Sequence, residues 1–115
     1  MLTEVMKDKS KIFKRQKQFE IIDEIIYERE RQDQKWGEQD HDLATWCLIL
    51  GEEVGEVNQA VLENRFATGK YSIDDVKKEL IQVAAVAVSM LESINRQQYK
   101  KAQGLLIDQF TKDRF

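Results

Sequence analysis

The sequence predicts an all-α protein, and three observations carry the prediction. Apolar residues recur at three- and four-residue steps over long stretches, the period of a helical face. Charged residues make up 34% of the chain and proline is absent, a composition suited to long helices with charged outer faces. No stretch alternates polar and apolar residues long enough to make a strand. The expected architecture is four helices, antiparallel and bundle-like, completed by oligomerisation.

The first helix is expected from about Ile12 to Gln34, with Phe19, Ile22, Ile25 and Ile26 as its apolar stripe. Residues 1–11 are then expected to form an arm, and the basic residues from Lys7 to Lys17 are expected to be solvated, with phosphate contact as the competing reading. Trp36-Gly37 stops the helix, with glycine in the usual stop position. Asp42 caps helix two, which runs to about Asn64. Its apolar residues are Leu43, Trp46, Cys47, Leu50, Val54, Val57 and Val61. The segment from Phe66 to Tyr71, with Gly69, reads as a loop. Ser72 caps helix three, with Asp75 three residues on. Helix three runs to about Asn95. A weaker helix four follows from about Gln97 to Lys112, with Tyr99, Ala102, Leu106 and Phe110 inward and Gly104 in its middle.

At 115 residues the chain is one domain, and 42% hydrophobic residues can supply a core. A net charge of −3 argues against a surface built to cover nucleic acid. The single cysteine, Cys47, excludes an internal disulfide and is expected in the core as a small hydrophobe. The start has no apolar signal-peptide segment, and no apolar run is long enough for a bilayer. A cytoplasmic protein is expected, with no membrane partner. From Leu80 to Leu91 helix three has almost no polar face. A helix apolar all round is buried all round, so a partner subunit is expected to cover it.

Two polar steps interrupt these apolar faces, Glu53-Val-Gly-Glu56 and Glu79-Leu-Ile-Gln82. With the seam of helix two near Leu50 and Val54, Glu53 lies roughly 70° and Glu56 roughly 130° to one side. With the seam of helix three near Val83 and Ala87, Glu79 and Gln82 lie roughly 60° and 120° to the same side. Two facing antiparallel helices are related by a local two-fold axis. Equal offsets of one hand therefore bring Glu53, Glu56, Glu79 and Gln82 to one lateral face, while Glu52 points away. Clustered carboxylates repel one another, and a hard divalent cation relieves that cost. The competing reading is a solvated helix surface, on which Glu-x-x-Glu spacings are common.

The order Trp36, His41, Trp46, Leu50, Glu53-Val-Gly-Glu56 and Glu79-Leu-Ile-Gln82 resembles the MazG-like family of all-α nucleoside triphosphate pyrophosphohydrolases. The match covers about Tyr27 to Asn95. The resemblance implies hydrolysis of a nucleoside triphosphate to the monophosphate and pyrophosphate, a house-cleaning activity on nucleotide pools. It implies magnesium as the cofactor, with manganese as the alternative, and a homodimer or homotetramer. Glu53, Glu56 and Glu79 would be catalytic and would ligate the metal, with Gln82 as a further, neutral ligand. Gln82 departs from the family pattern, which has aspartate there. An amide cannot act as a base, so the alternative is a nucleotide-binding or structural helical protein without turnover. A helical interaction module is a third reading. Trp36 and His41 are candidate substrate-binding residues, for base stacking and hydrogen bonding. Their competing readings are a hydrophobic plug and a loop or capping histidine. Trp46 is expected to pack in the core. Lys70, Lys77 and Lys78 are more often solvated than bound to phosphate.

Overall fold

The computed structural model describes residues 3–66 and 72–114, with side chains through Ile107. They form α1 (Glu4–Trp36), α2 (Leu43–Arg65) and α3 (Ile73–Arg114), with no strand among the described residues. Beyond Phe66, the expected loop with Gly69 and Lys70 lies outside the described residues.

Each start is fixed by a short polar side chain. Thr3 accepts a hydrogen bond from the Met6 amide at 3.2 Å, so α1 begins two turns before Ile12 and takes in most of the expected arm. Asp42 accepts from the Thr45 amide at 2.7 Å and starts α2 as expected. At α3 the Ser72 amide donates to Asp75 at 2.7 Å, and the Asp75 amide donates back to Ser72 Oγ at 3.3 Å. That reciprocal pair is a capping box closed by aspartate. Gly37 ends α1 with φ +72°, a left-handed conformation that a side chain would strain.

The expected break near Asn95 is absent. α3 runs through 42 residues, so the separate third and fourth helices are one element. No glycine or proline interrupts residues 95–97, and Arg96 and Gln97 are tied to the segment before α2. Arg96 Nη2 donates to Asp40 at 2.9 Å, and Gln97 donates to the His41 carbonyl at 3.3 Å. Gly104 sits inside the continuing helix, where Tyr99 and Leu106 are exposed rather than inward.

α3 is the spine. Both α1 and α2 pack on it, and they do not pack on each other. α2 runs antiparallel to α3, with Trp46 near Ser89 and Glu53 near Glu79. The core is small: Trp46, Ala60, Val76, Ala85 and Val86 are buried. The inner line of α2 runs through Trp46, Leu50, Glu53, Val57 and Ala60, so the seam lies closer to Glu53 than the sequence suggests. Leu43 and Cys47 are exposed, against expectation, because this rotation carries them off the contact face.

α1 departs further from its pattern. Phe19, Ile22 and Ile26 are exposed, while Glu28, Arg29 and Gln32 are buried. α1 meets α3 through its C-terminal half, and that contact is polar. Arg29 donates to both carboxylate oxygens of Glu92 at 3.0 and 3.1 Å, to Asp33 at 2.9 Å and to Gln32 at 3.0 Å. A buried guanidinium needs such pairing to offset its desolvation.

The chain is flat and extended, 69 × 46 × 23 Å, with a radius of gyration of 20.9 Å. A compact chain of about 100 residues has about 13 Å. Large apolar side chains on α3, Leu80 and Leu91 among them, therefore stay exposed in a single chain. Among the described residues no helix is long and apolar enough to cross a membrane.

Candidate functional site

The inner line of α2 and the first turns of α3 bring three carboxylates together. Glu53, Glu56 and Glu79 each place a ligand oxygen within 4.8 Å of the others. Glu53 and Glu79 stand on the α2–α3 seam, one turn from half-buried Val57 and buried Val76 respectively, and are half-buried; Glu56 is exposed. Oε2 of Glu53 and Oε2 of Glu79 are buried without a hydrogen-bond partner among the described residues.

The electrostatics follow from this placement. Burial, then the charges of Glu56 and Glu79, push the Glu53 carboxyl up from 4.5 to about 6. Glu79 is raised chiefly by burial, with Glu56 beside it as the next cause. Two orphaned oxygens in a like-charged cluster are costly unless a cation or a proton joins them. The donor set is all oxygen, which suits a hard divalent cation. A shared proton is the other way to relieve the repulsion.

These carboxylates open on a groove of about 1020 Å³. Gln82, Lys78 and Ile81 of α3 line it. Its other wall is α1, through Asp23, Glu24, Tyr27, Glu28 and Arg31. That wall is the part the sequence reading misses. Glu24, Tyr27, Glu28 and Arg31 recur at three- and four-residue spacing, so they share a helical face; that was the available signal.

Gln82 joins the groove, but its nearest described partner is α1. Gln82 faces Glu28 across the groove, and the Glu28 carboxyl is held below its usual range first by the hydrogen bond from Arg31 and in smaller part by the nearby Gln82 amide. Trp36 and His41 lie elsewhere. Trp36 is exposed, carries Lys35 Nζ 4.6 Å over its ring, and lines a small crevice with Arg29 and Trp46. His41 packs edge-on against Trp46 at 4.9 Å between ring centroids, and Nε2 lies 3.3 Å from Gln39 Oε1. Neither residue lines the carboxylate groove. Trp46 is 2% exposed, as its packing role predicts.

No family model matches the chain, and no curated protein and no solved structure matches it either.

Proposed function

We propose that this chain is a MazG-like nucleotide pyrophosphohydrolase that converts a nucleoside triphosphate to the monophosphate and pyrophosphate. The observation that carries the reading is the convergence of Glu53, Glu56 and Glu79, with two orphaned oxygens, at one side of a groove large enough for a nucleotide. In this reading the three glutamates hold a magnesium ion, or manganese in its place. Such an ion supplies charge neutralisation at the phosphates and a more acidic bound water. Without a cation, burial and its acidic neighbours raise the Glu53 carboxyl to about 6, a cost that a divalent ion held by the three glutamates would relieve.

The working unit in this reading is a homodimer or homotetramer. Support comes from the extended shape and from exposed Leu80 and Leu91 on α3. A second reading, nucleotide binding without turnover, is favoured by one observation: Gln82 lines the groove beside the cluster but brings no charge to it. Purified protein incubated with a panel of triphosphates and magnesium separates the two. Release of pyrophosphate that is lost in Glu53→Gln and Glu79→Gln supports the enzyme. Protection of the fold by triphosphates without any release supports the binding protein.

A further inference from the structure

The groove has an unusual charge balance. Six of its lining residues are carboxylates, and its cations are Arg31 and Lys78. Such a surface repels a polyanion except where a cation, bound or built in, faces it. Arg31 is built in with a defined orientation. Its Nη2 and Nε donate to the two oxygens of Glu28 at 2.6 and 2.9 Å. Glu28 is only 7% exposed, so it is a fixed anchor. The guanidinium is thus anchored along one edge. The Arg31 side chain remains 45% exposed, and Nη1 has no hydrogen bond among the described residues.

We infer that Arg31 is an anion-binding residue of this groove, taking the phosphate oxygens of a polyphosphate that extends past the carboxylate cluster, and that Glu28 positions it. The ligand class rests on the pyrophosphohydrolase reading; the anchored guanidinium does not. Arginine suits the role because its planar fork can hold a carboxylate on one edge and offer donors to a phosphate on the other. The Arg31–Glu28 pair is neutral as a unit. It therefore supplies oriented hydrogen bonds, while a divalent cation supplies the charge.

The test is calorimetric titration of inorganic pyrophosphate into the full chain with magnesium, using wild type, Arg31→Gln, Arg31→Lys and Glu28→Gln. Arg31→Gln is expected to bind about tenfold more weakly, the size of one lost charge-assisted hydrogen bond. Arg31→Lys keeps the charge but loses the fork, and should fall between. Glu28→Gln should also weaken binding although it removes a negative charge, which a purely electrostatic role does not predict. Stabilisation by magnesium alone should be unchanged in Arg31→Gln, which also checks that the variant is folded. Equal pyrophosphate affinity in wild type and both arginine variants overturns the inference, and so does a wild type that binds no pyrophosphate. A wild type that binds pyrophosphate through Arg31 but hydrolyses no triphosphate removes the turnover reading and leaves this one standing.

Discussion

Replacing Glu53 with glutamine should make the metal-free protein more stable, and only above a definite pH. In the folded chain the Glu53 carboxyl rises from 4.5 to about 6. That rise corresponds to about 2 kcal/mol of preference for the neutral form. Solvent at the open side of the groove screens part of it, so on the order of 1–2 kcal/mol is expected. The sign follows from linkage. A carboxyl whose folded pKa is raised contributes its stability in full below about pH 4.5 and loses it as pH climbs through about 6. Glutamine has no such dependence. Glu53→Gln and wild type should therefore differ little at pH 4.5, apart from any small packing change. By pH 7.5 in chelator the mutant should melt a few degrees higher, up to about 10 °C. Magnesium should reverse the order, stabilising wild type and leaving the mutant nearly unchanged. Differential scanning fluorimetry across pH 4.5–8, with chelator and then with magnesium, reads all of this. A mutant that is less stable than wild type at pH 7.5 without metal would refute the argument that this carboxylate is strained by its neighbours.

Three further outcomes are expected. Gln82→Asp sets a second carboxylate against buried Glu28; without metal it should destabilise the chain by on the order of 1–3 kcal/mol. A magnesium titration decides whether the new charge serves the cluster: recovery of stability with tighter metal binding places residue 82 among the ligands, and an unrecovered loss places it outside. Leu91→Glu and Leu80→Glu, both at exposed positions in one chain, should leave α3 helical but split the oligomer in sedimentation velocity; a wild type that sediments as a monomer at micromolar concentration ends the oligomer proposal. Arg29→Ala should cost about 2–4 kcal/mol in urea unfolding, because it leaves Glu92 and Asp33 without their shared cation.

The sequence makes some of this legible and hides the rest for identifiable reasons. The caps at Asp42, Ser72 and Gly37 are local chemistry, and each is found at the residue that carries it. The convergence of Glu53, Glu56 and Glu79 is legible because helical period and antiparallel pairing leave few alternatives. The phase of each seam is not. α2 has a broad apolar band, and packing chooses the side holding Ala60, whose small side chain lets α3 approach, over the side holding Cys47. The α1 contact is hidden because it runs against the apolar rule. Nothing in the local sequence tells that Arg29 will meet Glu92 sixty-three residues away, while Phe19 and Ile22 stay exposed. α3 continues past Asn95, where no glycine or proline stops it, and the partners that Arg96 and Gln97 find at Asp40 and His41 are tertiary information.

That α1 and α2 meet only through α3 bears on how the molecule folds and breathes. Residues of α2 and α3 are near in sequence and share most of the small apolar core, so their hairpin has the lower closure cost and should form first. α1 joins it through Arg29 and its pairing with Glu92, a contact that is directional and gives little hydrophobic gain. Amide hydrogen exchange should then report two levels of protection. The α1 amides near Arg29 should exchange through a partial opening that leaves α2 and the middle of α3 protected, while those around Val86 should exchange only with global unfolding. Because α1 forms one wall of the carboxylate groove, that partial opening is also a motion of the groove itself, and a ligand spanning both walls should slow exchange in α1 more than in α2.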